Sequence, residues 1–323
     1  MRRPRFEVDP DVGILALMTA REDFEVEADD GHPVAARWWA PDSPNGLVQI
    51  VHGMAEHCAR YERVAEKLNE AGWAVIAHDH RGHGATAAAN DLGHYGDEGG
   101  LRRVVADMRR VRREGRARQP EGPLVLLGHS MGSFLSLFDQ CDAPGEVDAL
   151  VLSGSNELGG AAVKAGRAVA KLERLRLGKR GKSALLAFLS FGSFNKAFQP
   201  VRTEFDWLSR DADEVDAYIA DPLSGFRCTN QLWIDFLGAL DRLGDAGFRR
   251  RLPSQLPVYL MAGEKDPVGG ASGVAALEAQ LRGAGLTDVT RKIYPGGRHE
   301  MFNETNRDEV VSDLIAFLAE QRA

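Results

Sequence analysis

The chain has 323 residues, 44% hydrophobic and 27% charged, enough for one large domain with a sizeable core and an insertion. Its net charge of −7 at pH 7 excludes a general nucleic-acid binder, whose footprint would be basic. The 3 cysteines, Cys58, Cys141 and Cys228, are too widely spaced for a disulfide framework or a metal site, and fit small buried side chains in a reducing compartment.

Met1-Arg2-Arg3-Pro4-Arg5 is basic and residues 12–20 form a short apolar run. Asp9 and Asp11 interrupt what would be the apolar core of a signal peptide, and no small-x-small cleavage site follows. Residues 1–20 therefore read as an N-terminal arm on a cytoplasmic protein. No segment approaches the roughly 20 apolar residues of a membrane span. Phe24 to Ala28 and Val34 to Trp39, joined by Asp29-Asp30-Gly31, predict an opening hairpin. Leu47 to Val51 predicts a buried strand that runs into His52-Gly53-Met54. A helix over 60–71, a strand over 73–77 and a helix over 101–116 follow.

Leu124-Val125-Leu126-Leu127 is the next strand, and Gly128-His129-Ser130-Met131-Gly132 comes directly behind it. After it, Phe134, Leu135, Leu137 and Phe138 are spaced for the buried side of a helix. Strand, Gly-x-Ser-x-Gly, helix describes a nucleophile elbow, whose sharp turn lifts the serine Oγ out of the sheet edge. A glycine-rich turn with an idle serine is the bland alternative. Ala149 to Leu152 adds a strand, after which the strand–helix rhythm stops from Ser155 to about Cys228. Strands over 256–262 and 289–294 resume it, with helices over 271–283 and 306–321. Runs buried on both faces and separated by helices imply an α/β fold with a mostly parallel, eight-stranded sheet. Residues 21–154 and 229–323 form its core, and 155–228 a helical cap over one sheet edge.

A serine nucleophile needs a base, and the base a carboxylate to fix its tautomer. In this architecture acid and histidine follow the serine in that order. Of the 9 histidines only His299 comes after Ser130, in the glycine-rich loop Tyr294-Pro295-Gly296-Gly297-Arg298-His299. Asp266 has the best setting for the acid, since it follows a strand through Gly263-Glu264-Lys265 and Pro267 blocks helix there. Glu264 is its rival. The strand-end loop His52-Gly53-Met54 and the residue after the nucleophile are placed to supply oxyanion donors, the backbone N–H groups of Met54 and Met131.

His52-Gly53-Met54-Ala55-Glu56-His57 with Arg60-Tyr61-Glu62, and His78-Asp79-His80-Arg81-Gly82-His83-Gly84, carry a resemblance to a known family. So do Gly128-His129-Ser130-Met131-Gly132 and Gly263-Glu264-Lys265-Asp266, with a weaker likeness through Val215 to Tyr218 and Asp221-Pro222-Leu223. From about residue 45 onward the chain resembles the monoacylglycerol lipase and lysophospholipase branch of the α/β-hydrolases. The resemblance implies Ser130 as nucleophile, Asp266 as acid, His299 as base and Met54 with Met131 as the oxyanion pair. Ser133 stands where the family often has a further glycine. Residues 154–205 match only loosely, and substrate choice would be set there.

Two features of the cap remain. Residues 182–198 hold Leu185, Leu186, Phe188, Leu189, Phe191, Phe194 and Phe198, which suit an acyl-chain tunnel or the cap's own packing, or else a membrane-touching lid. Residues 164–182 carry Lys164, Arg167, Lys171, Arg174, Arg176, Lys179, Arg180 and Lys182 against one acid, Glu173. That run suits either a solvated helix face or transient contact with an anionic membrane surface. The expected activity is cofactor-free and metal-free hydrolysis of a lipid-like monoester, of monoacylglycerol or lysophospholipid type, through an acyl-enzyme. The same triad would also serve a thioesterase, amidase or perhydrolase, or survive in a non-catalytic ligand-binding relative. Oligomeric state is not legible.

Overall fold

The computed structural model describes residues 21–88 and 90–322, so the expected N-terminal arm lies outside the described residues. β1 (Glu22–Glu27) and β2 (Pro33–Trp39) form the antiparallel hairpin, followed by β3 (Leu47–Val51), α1 (Glu62–Glu70), β4 (Ala74–His78) and α2 (Gly100–Arg118). β5 (Leu124–His129), α3 (Met131–Asp142) and β6 (Ala149–Ser153) come next. Between β6 and residue 229 lie α4 (Ala161–Leu177), α5 (Ala184–Leu189) and α6 (Ala212–Ala220), with a 3₁₀ stretch over Phe191–Phe198. α7 (Asn230–Leu243), α8 (Ala246–Arg249), β7 (Val258–Gly263), α9 (Gly270–Gly283), β8 (Val289–Tyr294) and α10 (Arg307–Glu320) complete the chain.

The sheet has eight strands in the order β1-β2-β4-β3-β5-β6-β7-β8. β2 pairs antiparallel with β1 and β4, and every pair from β4 to β8 is parallel. This is the mostly parallel α/β sheet that the buried runs predict. Strand alternation divides the core into two faces. Leu124, Leu126, Leu150, Leu152, Val258 and Leu260 meet Met108 of α2, Leu135 of α3 and Leu277 of α9. Val125, Leu127, Val151, Tyr259 and Met261 meet Leu68 of α1 and Leu314 of α10.

Register brings the ends of the parallel strands to one edge. Val51 of β3 pairs with Gly128 of β5, His129 with Ser153 of β6, Ser153 with Met261 of β7, and Gly263 with Tyr294 of β8. The chain leaves each strand into a loop at that edge, the usual place for a site in open parallel sheets. α7 and α8 are absent from the elements the sequence patterns predict. Thr229 caps α7 by accepting from Leu232 N–H at 3.2 Å, and the helix packs between α4 on one side and α2 and α3 on the other. Burial on both sides blurs the one-sided apolar stripe that marks a surface helix.

Candidate active site

Ser130 holds φ 50° and ψ −119°, between the last residue of β5 and the first of α3. A non-glycine residue in such a conformation costs on the order of 1–3 kcal/mol and is held there by its surroundings. Ser130 N–H donates to Ser153 O at 2.8 Å, tying the turn to β6. The close approach explains the flanking glycines. A Cβ at Gly132 would collide with the Val51 carbonyl, and one at Gly128 would stand 2.5 Å from Gly132 O.

His299 leaves the β8 loop with its Nδ1 at 3.0 Å from both Asp266 carboxylate oxygens. Both residues are buried. Asp266 is fixed in turn by Val268 N–H, which donates to its Oδ1 at 2.9 Å. Burial acts to lower the imidazole's pKa, but the charge and hydrogen bond of Asp266 outweigh it, so His299 is raised above the ordinary 6.5. Glu264 points elsewhere: exposed, it accepts from Gly296 N–H at 2.9 Å.

Ser130 and His299 line one chamber of about 20 Å³, walled by Gly53, Met54, Phe191, Trp207, Leu208 and Tyr218. The His299 ring lies 5.1 Å from that of Trp207 and 4.8 Å from that of His129. A Cβ on Gly53 would be 3.3 Å from Ser130 Cβ, so the loop after β3 is in contact with the serine. Neither Met54 N–H nor Met131 N–H donates to another group among the described residues.

A buried ionic cluster backs this loop. Glu56 Oε1 accepts from Gly53 N–H at 2.5 Å and from the Tyr61 hydroxyl at 2.9 Å. Arg60 donates to Glu56 Oε2 at 2.8 Å and grips Glu300 with two bonds of 2.6 Å. Burial acts to raise the Glu300 pKa, yet the Arg60 charge and hydrogen bonds bring it down to about 2. Glu56 is pushed up by its burial. Because Glu300 adjoins His299, the cluster joins the loop after β3 to the loop after β8. Glu56 and Arg60 stand inside the motif that carries the family resemblance, but nothing in the sequence reading gave them or Glu300 a role. Nor did it single out Trp207, and Tyr218 entered only within the weaker likeness through Val215 to Tyr218.

Beneath the same edge, His52, His78, His80 and His83 form a buried group, with His52 and His80 ring centroids 4.2 Å apart and His78 and His80 4.9 Å apart. His80 N–H donates to His52 Nε2 at 3.0 Å, so the group braces the β3 and β4 ends. Among the described residues no set of three or more His, Cys, Asp or Glu side chains is arranged to hold a metal ion. Cys58, Cys141 and Cys228 are buried and free.

Comparison with known proteins adds the family. A family model described as serine aminopeptidase, S33, matches residues 42–306. A monoacylglycerol lipase of Mycolicibacterium smegmatis is 32% identical over 283 residues, 87% of this chain and 90% of that protein. The chain belongs to the monoacylglycerol lipase-like branch of the α/β-hydrolases. Human monoglyceride lipase is 30% identical to this α/β-hydrolase over 287 residues, 85% of this chain and 82% of that protein. A crystal structure of a thermostable carboxyl esterase from Bacillus coagulans, in complex with glycerol, superposes with a TM-score of 0.86 at 29% identity. That match covers 94% of this chain and 99% of the esterase. The protein is thus a carboxylic-ester hydrolase by family. Among the described residues no helix is long and apolar enough to cross a membrane.

Proposed function

We propose that Ser130, His299 and Asp266 hydrolyse a lipid-like carboxylic monoester, of monoacylglycerol or lysophospholipid type, through an acyl-enzyme. The observation that carries this reading is their meeting at one sheet edge, with both Asp266 oxygens on His299 Nδ1 and with His299 and Ser130 lining one chamber. With Nδ1–H given to Asp266, the free imidazole nitrogen is Nε2, the base for the Ser130 hydroxyl. Ser130 Oγ attacks the ester carbonyl as His299 takes its proton, and the N–H groups of Met54 and Met131 hold the oxyanion. His299 protonates the departing alcohol. A water then attacks the acyl-enzyme as His299 takes its proton, and His299 passes that proton to Ser130 Oγ as the acyl–oxygen bond breaks.

The acyl chain has a natural place. A groove of about 470 Å³, lined by Ala187, Phe188, Phe191, Phe205 and Phe226, shares Phe191 with the catalytic chamber. Its volume falls within the range of small-molecule sites. We accordingly read residues 155–228 as a cap that shapes the acyl site. The name of the matched family model suggests another reading, peptide hydrolysis at a free amino terminus, which calls for an acid to meet the substrate ammonium. The two carboxylates at the chamber, Glu56 and Glu300, are already taken by Arg60, Tyr61 and Gly53 N–H, which favours the ester. The test is Ser130→Ala. It should abolish hydrolysis of monoacylglycerols and p-nitrophenyl esters, along with covalent labelling by a fluorophosphonate, while the melting temperature stays near that of the parent. Ester turnover surviving in Ser130→Ala would overturn the assignment.

A further inference from the structure

The elbow carries a hydroxyl to which the proposed mechanism gives no part. Ser133, on the first turn of α3, is buried and stands where the chain departs from the family resemblance. Its Oγ donates at 2.6 Å to the Ser130 carbonyl, which also accepts from Ser133 N–H at 2.9 Å. The same Oγ lies 2.7 Å from that of Ser155, buried in the loop after β6. A hydroxyl has one hydrogen, so with that of Ser133 given to Ser130 O, Ser155 donates the second bond. A serine that bonds back to an earlier carbonyl of its own helix is common. What sets this one apart is the second hydroxyl, from a loop 22 residues further along, which directs the first.

Ser155 is itself held. Its neighbour Asn156 donates from Nδ2 to Val268 O at 2.6 Å, and Val268 N–H donates to Asp266. Gly269 packs so closely that a Cβ there would stand 2.5 Å from Ser155 O and 3.0 Å from Asn156 Cβ. The loop after β6 is therefore pinned to the loop of Asp266, and its hydroxyl reaches the elbow from a fixed post.

The target of the Ser133 bond decides its role. The Ser130 carbonyl belongs to the Ser130–Met131 peptide, whose N–H is the oxyanion donor of the proposed mechanism and donates to no group among the described residues. A trans peptide is planar, so a bond that fixes its carbonyl also fixes the direction of the N–H on the opposite side. Successive hydrogen bonds polarise one another as well, strengthening the N–H as a donor by roughly 10–30% per bond. We propose that Ser133, oriented by Ser155, is a positioning residue for the oxyanion hole: it aims and polarises the peptide that presents Met131 N–H to the ester oxygen. This rests on the reading of the protein as an ester hydrolase with Met131 as an oxyanion donor.

The test is kcat/KM on a short, soluble p-nitrophenyl ester, with rates expressed per serine labelled to completion by a fluorophosphonate. Beside it stands the inhibition constant of a trifluoromethyl ketone, whose serine adduct carries the same oxyanion. Losing an oxyanion donor outright costs about a hundred- to a thousand-fold. Losing its support should cost less, about tenfold in S133A, and the inhibition constant should rise by the same factor. S155A, which leaves the Ser133 hydroxyl in place but undirected, should lose about threefold. Because Ser155 acts through Ser133, S133A/S155A should lose no more than S133A. The acid limb of the pH profile should stay in place in all three, since His299 and Asp266 keep their contacts. Parent-like kcat/KM in S133A or, where that variant does not fold, in S155A overturns the proposal. So does a loss of turnover without a matching loss of inhibitor affinity, a shifted acid limb, or a double variant that loses the product of the single effects. Ester turnover surviving in Ser130→Ala strikes the hydrolase reading and this proposal with it, whereas parent-like turnover in S133A strikes this proposal alone.

Discussion

Asp266 sets both the orientation and the charge state of His299, and the two effects separate in a pH profile. If His299 is the proposed base, the free enzyme needs it neutral, so kcat/KM should fall on the acid side as the imidazole takes its proton. Because Asp266 raises that pKa, the acid limb should lie above pH 6.5, the value for an unperturbed imidazole. Asp266→Asn removes the charge that opposes burial, so its limb should move to lower pH while the rate drops about 10⁴-fold. An acid limb that stays in place in the variant would show that another group titrates. These residues were legible from the chain for a physical reason. An elbow leaves a local signature of small residues around the serine, and chain order leaves only His299 to act as base. The carboxylate was less determined, because Glu264 shares its loop and only side-chain direction distinguishes the two.

At the level of elements, the loops after β3 and β8 are joined by charge rather than by sequence neighbourhood. Arg60 spans them, with Glu56 on one side and Glu300 on the other. Arg60→Met would leave two buried carboxylates facing each other without their cation. Removing one partner of a buried ion pair costs about 3–5 kcal/mol, and urea unfolding should record a loss of that size. Arg60→Met/Glu300→Gln should recover part of it, and a loss unchanged by the second substitution would argue against the pairing. Such a bridge leaves no periodic trace, since its members lie 4 and 240 residues apart. Strands and most helices, in contrast, were readable because each one's apolar spacing is local. α7 escaped for a different reason: both its flanks are covered, and it begins at the supposed edge of the cap.

For the whole molecule, the buried histidines tie folding to pH. Burial holds His78 and His83 down at about 4, and His52 and His80 well below the ordinary 6.5. Below pH 6.5 the unfolded chain takes up protons that the folded chain refuses, so stability falls as pH drops through 6.5 toward 4. Between pH 7 and pH 5 this amounts to about 2 kcal/mol for each of His78 and His83. The urea midpoint should drop accordingly, and an equal midpoint at both pH values would refute the coupling. Sequence motifs placed these histidines at strand ends but did not reveal that their rings meet, tilted or edge to face, beneath the site, since that depends on β3 and β4 being neighbours. The proposed active-site chamber carries one more consequence. Phe191 belongs both to its wall and to the apolar groove of the cap, so one side chain is common to the two spaces. Phe191→Ala should widen that junction and shift preference toward bulkier acyl groups, read as the ratio of kcat/KM on p-nitrophenyl esters of graded length, and an unchanged ratio would detach the groove from substrate choice.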